Sequence, residues 1–131
     1  MFIVDAVALL SYLVDKLPKK ASDVLDNVDE NNQVLIPSIV IGETLYTIYK
    51  GKEIFGMKIS TDKIPLLFQL LSYSKGVRLV DMDLKSWEIF DGLRIPELHD
   101  RMIVACAKRY NADFIVTSDA EIQKAYDSLW N

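Results

Sequence analysis

Short apolar runs alternate with segments of helical periodicity along this chain, and this alternation constrains the fold more than any other feature. Apolar runs predict strands over 2–4, 33–36, 77–80 and 114–117. Periodic segments predict helices over 6–16, 22–30, 38–49, 62–73, 84–90, 98–110 and 121–126. Uniformly apolar strands separated by helices are typical of a parallel sheet covered on both faces. We therefore predict an α/β fold of three layers, α/β/α, with four to five parallel strands.

The chain length is that of one domain, which we take to cover residues 1–131. A last edge strand, if present, must come from 128–131. Ser38 is predicted to cap the helix that follows Pro37, and 50–61 is interpreted as a turn region rich in lysine. Crossovers between the strands should be right-handed, so ligands should bind beyond the carboxyl ends of the strands.

Composition excludes several classes of protein. Cys106 is the only cysteine, which rules out an intramolecular disulfide or a cysteine zinc cluster and fits a cytoplasmic location. The N-terminal segment lacks a basic start, and Asp5 and Ser11 interrupt its apolar stretch, so we expect neither a signal peptide nor a membrane span. The net charge of −4 disfavours a nucleic-acid partner unless several acids cluster around divalent cations.

Two acids follow predicted strands directly. Asp5 comes straight after the first strand, and Asp119 follows the 114–117 strand with only Ser118 between them. If both strands are parallel and central, their ends bring the two carboxylates to the same rim of the sheet. The alternative for each acid alone is an N-cap on the helix that follows it.

Two further acids stand out by their surroundings. Glu43 is the only charged residue from Asn31 to Tyr49, and burying a lone carboxylate is costly unless a partner compensates it. Gly42 beside it suggests a close backbone approach, and a pairing with Lys50 or Lys63 is the alternative explanation for Glu43.

Asp100 lies in the first turn of the clearest helix, where the positive helix end favours a carboxylate. An ordinary helix-start acid is the alternative there. The four acids together fit one hypothesis better than four separate ones, since clustered carboxylates need cations to stay ionised at close range. Their hard oxygen ligands suit Mg²⁺ or Mn²⁺, and such ions can support phosphodiester cleavage.

Four segments carry a resemblance to a known family. In order along the chain they are IVDAVALL, IGETLY, LHDRMIVACA and FIVTSDAEI. They resemble the acidic motifs of PIN domains, and most closely those of the toxin ribonucleases of VapBC toxin–antitoxin pairs. The resemblance covers nearly the whole chain, and its most specific part runs from Leu98 to Asp119.

The resemblance implies a Mg²⁺- or Mn²⁺-dependent endoribonuclease. In it, Asp5, Asp100 and Asp119 ligate the metal, Glu43 completes the acidic cluster, and Thr117 positions water or a ligand. The implied partners are an RNA substrate, a small antitoxin protein and a second copy of the chain. The sequence departs from the family at one place, since Ala6 stands where members usually carry Thr or Ser after the first Asp.

Several other side chains have open interpretations. Arg101 is expected either to touch a scissile phosphate or a carboxylate, or to be solvated at the helix start. His99, the only histidine, is expected to have a surface or helix-start role rather than that of a general base. Lys50 and Lys52 are candidates for contact with RNA phosphates, the alternative being a solvated loop.

An apolar surface and three rival functions complete the expectations. The surface, for an antitoxin or a second copy, would include Tyr46, Tyr49, Phe55, Met57, Leu66, Leu67 and Leu70, although core packing explains most of them equally well. The rival functions are an RNA-processing PIN nuclease without an antitoxin, a non-catalytic PIN-like module that binds RNA or protein, and a phosphate-accepting receiver domain. No lysine directly follows the 77–80 or 114–117 strand, which disfavours the receiver domain.

Overall fold

Five short strands form one parallel sheet in the computed structural model, which describes residues 1–131. With two further strands outside this sheet, the chain has seven in all: β1 (Phe2–Val4), β2 (Val34–Pro37), β3 (Glu53–Ile54), β4 (Met57–Lys58), β5 (Val77–Val80), β6 (Ile115–Val116) and β7 (Ser128–Leu129). The sheet has the order β5-β2-β1-β6-β7, and all of its neighbouring strands pair in parallel. β3 and β4 form a separate antiparallel hairpin. The predicted sheet is confirmed, including its last edge strand.

Seven helices cover the sheet. They are α1 (Ala6–Leu13), α2 (Lys19–Asp26), α3 (Ser38–Lys50), α4 (Ile64–Tyr73), α5 (Leu84–Gly92), α6 (Leu98–Arg109) and α7 (Ala120–Ala125), with a 3₁₀ turn at Thr61–Lys63. From β1 the chain adds β2 and then β5 toward one edge of the sheet, and from β6 it adds β7 toward the other edge. Because crossovers are right-handed, helices that connect strands in opposite directions lie on opposite faces of the sheet. α1 packs on α3, and α6 packs on both α5 and α7. The α/β/α layers are therefore confirmed.

The sheet lies at the centre of the hydrophobic core. Every residue of β1, β2 and β6 is buried, and the core cluster extends from these strands to apolar residues of α1, α3, α4 and α6. Burial on both faces explains why these strands are apolar throughout rather than alternating with polar residues. None of the helices has the length and apolarity that a membrane crossing requires.

Ser38 does not cap α3 as predicted. The extended residue Pro37 occupies the N-cap position and makes no side-chain cap bond, so strand and helix adjoin directly. The Ser38 hydroxyl instead donates across to β5, to the Val80 carbonyl at 3.3 Å and to the Asp81 carboxylate. Ser38 therefore ties the start of α3 to the end of a neighbouring strand.

The region of 50–61 is more ordered than the predicted turn. α3 ends at Gly51, whose left-handed conformation (φ 64°) suits glycine, and the β3–β4 hairpin follows. The hairpin turns at Phe55 and Gly56, both with positive φ. This hairpin fixes the position of Lys52 relative to the last turns of α3.

Candidate active site

Asp5 and Thr117 lie side by side at the carboxyl ends of two neighbouring central strands. The register pairs Val4 with Val116, so the next residue of each strand is the first beyond the sheet. The Thr117 hydroxyl donates to Asp5 Oδ2, and the Ala8 amide donates to Asp5 Oδ1 at 2.8 Å. Asp5 is only 6% exposed and therefore depends on these two hydrogen bonds.

Asp119 is linked to the same threonine. Its backbone amide donates to Thr117 Oγ1 at 3.0 Å. Its Oδ1 accepts the amides of Glu121 and Ile122 at 2.9 and 3.1 Å, which caps α7. Asp5 caps α1 in the same way. Capping a helix and lying at a shared rim of the sheet are therefore compatible for both acids. In each carboxylate, Oδ1 accepts the capping hydrogen bonds and Oδ2 takes no part in the cap.

Asp100 reaches the site from the first turn of α6. Its amide donates to Glu97 Oε2 at 2.6 Å, and Glu97 is the N-cap of the helix. The Asp100 carboxylate accepts no protein hydrogen bond in the structure, unlike those of Asp5 and Asp119. Its place at the site depends on how α6 begins.

Glu43 is paired with a histidine and not with Lys50 or Lys63. His99 Nδ1 lies 3.0 Å from Glu43 Oε2 and 3.7 Å from Glu97 Oε1. Partial burial raises the pKa of Glu43, His99 opposes that shift, and the charge of Glu97 adds to it. His99 therefore has a defined role at the helix start, as the counterpart of the isolated carboxylate in α3.

The four predicted acids line one cleft of about 360 Å³ beyond the strand ends. Its lining residues are Asp5, Ala6, Val7, Glu43, Asp100, Ile103, Ser118, Asp119 and Ala120. No lysine or arginine lies among them. Ser118 was not predicted as a site residue, and it lines the same cleft as Ala6, the position at which the family's usual hydroxyl is missing.

Two of the acids have pKa values well above those of ordinary carboxyl groups. Burial raises the pKa of Asp100 to about 7, and the charges of Asp119, Glu97, Asp5 and Glu43 add to the shift. Burial also raises the pKa of Asp5 to about 6, although the hydrogen bonds from Thr117 and Ala8 oppose it. The cleft therefore concentrates acidic groups without a lysine or arginine among its lining residues.

The donor chemistry of the cleft fits a hard divalent cation. All four acidic side chains offer oxygen, which Mg²⁺ and Mn²⁺ prefer. No three acidic, histidine or cysteine side chains converge as a ready-formed metal site. Mg²⁺ commonly binds through one or two carboxylates and keeps several waters, so it does not need a closed cage of protein ligands. An open cleft with a few carboxylates therefore suits this ion.

Arg101 is half-buried at the start of α6 and contacts no carboxylate of the cleft. Its guanidinium donates to the Leu93 carbonyl and lies 4.6 Å from the centroid of the Phe90 ring. Its Nε is buried without a partner. Arg101 therefore fastens the connection between α5 and α6, and acts on the site only through the start of α6.

A second cavity of about 430 Å³ adjoins the cleft. It is lined by Ile39, Gly42, Glu43, Tyr46, Thr47, Lys52 and His99. Glu43 thus belongs to both spaces. The ammonium groups of Lys52 and Lys50 lie 4.8 and 5.8 Å from the centroid of the Tyr46 ring. The two candidate lysines are therefore gathered around one aromatic side chain, beside the acidic cleft.

Gly42 does not mark a close backbone approach. A Cβ built at this position meets no atom within 4 Å, so the glycine faces open space at the second cavity. The sequence interpretation of Gly42 was wrong in its cause. Glu97, Tyr46 and Ser118 were not singled out as site residues, and only Glu97 has a local signal, a possible N-cap three residues before Asp100.

Comparisons with known proteins agree with this architecture. The model of the PIN domain family matches residues 2–128. A search of curated protein sequences returns no significant match.

Three solved structures share the fold at low sequence identity. VapBC2 from Rickettsia felis, bound to a promoter DNA fragment, gives a TM-score of 0.75 at 20% identity, covering 99% of this chain and 98% of that one. VapC20 of Mycobacterium tuberculosis, described as a toxin that cleaves the sarcin–ricin loop, gives 0.70 at 13% identity with both chains fully covered. A toxin–antitoxin complex from Klebsiella pneumoniae gives 0.64 at 16% identity, covering 91% and 87%. With the family model spanning almost the whole sequence, this chain belongs to the PIN-domain family.

Proposed function

We propose that this protein is a Mg²⁺- or Mn²⁺-dependent endoribonuclease whose acidic cluster is Asp5, Glu43, Asp100 and Asp119. The observation that carries the proposal is the cleft itself. Four carboxylates from four separate segments line it, and no lysine or arginine compensates them. Burying this much like charge is costly, so a function must explain why it is kept. Membership of the PIN family adds an independent reason to expect phosphodiester chemistry.

Each carboxylate has a proposed task. Asp5, Asp100 and Asp119 hold the cation, and Glu43 helps to bind a second ion or orients the attacking water. A bound divalent cation supplies activation of water and stabilisation of the leaving oxygen. Thr117 orients two of the ligands, since its hydroxyl donates to Asp5 and accepts from the Asp119 amide.

Lys50 and Lys52 are the proposed contacts to RNA phosphates. They lie at the end of α3 and the start of the hairpin, beside the cavity that adjoins the cleft. Because the cleft repels a polyanion, a nearby cation is needed to hold the substrate backbone. Arg101 is not part of this proposal, since its guanidinium is occupied at Leu93 and Phe90.

The proposed biological role is that of the toxin in a type II toxin–antitoxin pair in the cytoplasm, inhibited by a small antitoxin and active as a homodimer. Toxin–antitoxin complexes among the structural neighbours support it. An exposed apolar surface gives a partner somewhere to dock, and its members are Tyr46, Tyr49, Phe55, Met57 and Leu66. Leu67 is fully buried and Leu70 is half-buried, so core packing explains these two.

Two alternatives remain distinct from the toxin role. An RNA-processing PIN nuclease would use the same cleft without an antitoxin, and the absence of a gene for a small DNA-binding partner immediately upstream would favour it. A non-catalytic PIN-like module would bind RNA or protein without cutting. Ala6 and the acidic pI of about 4.9 favour that alternative, whereas the intact acidic cluster favours the enzyme.

The decisive experiment is a cleavage assay on labelled RNA with Mg²⁺, Mn²⁺ or EDTA. We expect cleavage with either metal, none with EDTA, and a loss of about 100-fold or more in Asp5→Asn and Asp100→Asn. Asp91→Asn is the matched control, because Asp91 is an exposed acid of α5 outside the cleft. Cleavage that persists in EDTA or in both cleft variants contradicts the mechanism. If no RNA is cut and calorimetry finds no binding of divalent ions, the non-catalytic module is favoured.

A further inference from the structure

The cavity that adjoins the acidic cleft lies between α3 and the start of α6. One wall is the Glu43–His99 pair, which separates it from the cleft. The opposite end is formed by Tyr46 and Lys52. Gly42 also lines the cavity and presents no side chain, so space is left open along this face of α3. A ligand in this cavity lies next to the proposed cleavage site without occupying it.

The chemistry of the lining is that of a nucleotide site. Tyr46 is 52% exposed and lines the cavity, so a ligand there can reach its ring. Lys52 is the only lysine or arginine among the lining residues, and Thr47 adds a hydroxyl. Proteins bind unpaired nucleotides with this combination of an aromatic platform for the base and a cation for the phosphate.

Lys52 already marks the stacking position. Its ammonium lies 4.8 Å from the Tyr46 centroid, in the range of a cation–π contact, and the residue is exposed to solvent. A base that stacks on the ring displaces the ammonium, which can then reach the phosphate of the same nucleotide. After this displacement, the Tyr46 ring contacts the base and the Lys52 ammonium contacts the phosphate.

We propose that this cavity is the subsite for one unpaired nucleotide beside the phosphodiester that is cut, with the base on Tyr46 and the phosphate on Lys52. The proposal rests on the proposed ribonuclease function and names the two side chains that hold the substrate beside the bond that is cut. A base inside an A-form duplex is stacked on both faces and cannot lie on Tyr46. Double-stranded RNA is therefore a poor substrate.

Binding of RNA in EDTA tests the subsite separately from catalysis. The probe is a fluorescein-labelled single-stranded RNA hexanucleotide of mixed sequence, followed by anisotropy at low salt. We expect Tyr46→Ala and Lys52→Ala each to raise the Kd about tenfold, whereas Tyr46→Phe keeps most of the affinity. Tyr73→Ala is the matched control, since Tyr73 is an exposed aromatic of α4 outside the cavity.

Gly42 offers a second test that does not remove a contact. Gly42→Ala should raise the stability of α3, because alanine is the better helix former and its Cβ meets no atom. Gly42→Leu should fill the cavity and raise the Kd about tenfold in a protein that still melts as the wild type does. A binding defect in a variant of unchanged melting temperature cannot be explained by misfolding.

The results separate the subsite from the enzyme. If the wild type cuts RNA but Tyr46→Ala and Gly42→Leu bind the hexanucleotide like the wild type, the subsite is wrong and the ribonuclease stands. If the wild type binds with the expected pattern but cuts nothing with Mg²⁺ or Mn²⁺, the ribonuclease is wrong. Equal affinity for the hexanucleotide and its duplex, or no binding by the wild type, also overturns the subsite.

Discussion

The two sides of the acidic cleft are built in different ways. On the strand side, Asp5 and Asp119 each cap a helix and share the Thr117 hydroxyl. On the helix side, Asp100 accepts no protein hydrogen bond, and Glu43 has His99 as its partner. Backbone amides thus fix one half of the site, whereas side-chain packing and charge balance position the other half.

The pKa values show what this difference does. Asp5 is almost fully buried, yet its pKa rises only to about 6, because Thr117 and Ala8 donate hydrogen bonds to the ionised form. Asp100 is less buried and its pKa rises to about 7, because repulsion from neighbouring acids adds to partial burial and no hydrogen bond opposes them. The hydrogen bonds to Asp5 and the repulsion around Asp100 therefore outweigh the difference in burial between the two acids.

Thr117→Val should remove the hydroxyl that links Asp5 to Asp119 and should cause the largest loss of stability among these variants. The variant keeps the shape but removes the donor to Asp5 and the acceptor for the Asp119 amide. Leaving buried polar groups without partners costs about 2–3 kcal/mol, and we expect that loss in urea denaturation together with reduced cleavage. Thr117→Ser retains the hydroxyl and should recover most of both. A variant as stable as the wild type would show that the bridge contributes nothing.

Arg101→Met tests whether the helix side has an anchor of its own. The change removes the charged hydrogen bond to Leu93 and the contact with Phe90, which together fasten the connection leading into α6. We expect a loss of about 1.5 kcal/mol in the free energy of unfolding. Arg101→Lys should not rescue it, since an ammonium lacks the planar guanidinium that stacks on the ring. Full stability of the lysine variant would argue against this anchor.

The pH dependence of stability sharpens the comparison directly. The pKa values of Asp100 and Asp5 are raised in the folded protein, so their stabilising contribution is complete below about pH 3.8 and is lost as the pH rises through about 6 and 7. In EDTA, the melting temperature should therefore fall between pH 5 and pH 8. Asp100→Asn should flatten this fall.

The Asp100→Asn variant should exceed the wild type at pH 8 by on the order of 1 kcal/mol, or about 4 °C, after allowance for solvent screening. Adding Mg²⁺ to the wild type at pH 8 should recover a comparable amount by binding the folded state. A melting temperature that rises across this pH range in EDTA would show that folding does not raise the pKa values of these two acids.

His99→Gln should produce the smallest effect. The pair with Glu43 is partly exposed, so its coupling is expected to be about 0.5 kcal/mol. A double-mutant cycle with Glu43→Gln isolates this energy from the other losses of each variant. Loss of the imidazole should also raise the pKa of Glu43 further, because His99 opposes the present shift. A coupling near zero would leave Glu43 without a compensating partner.

The parts of the site that adjoin strands were predictable from sequence, whereas the helix–helix contacts were not. Asp5 and Asp119 follow apolar runs, and the parallel sheet brings such positions to one rim. The Glu43–His99 pair joins helices more than fifty residues apart, and no local pattern indicates it. The contacts of Arg101 were not predictable for the same reason, since Phe90 lies in α5 and Leu93 directly after it.

Gly76 and Gly42 show that the sequence alone does not reveal why a glycine is present. A Cβ at Gly76 would lie 2.5 Å from the Asp29 amide nitrogen, so only glycine fits there. A Cβ at Gly42 would meet nothing within 4 Å. Either glycine could be interpreted as a close approach, and only the tertiary fold separates a forced glycine from an open cavity.

The pairing of β1 with β6 has a consequence for the order of synthesis. The hydrogen bond between Thr117 and Asp5 joins residues 112 positions apart, and both central strands must be present before the rim exists. Asp5 is synthesised more than a hundred residues before Thr117, its hydrogen-bond donor. A ribosome that makes this protein therefore carries no assembled cleft while most of the chain is still being synthesised.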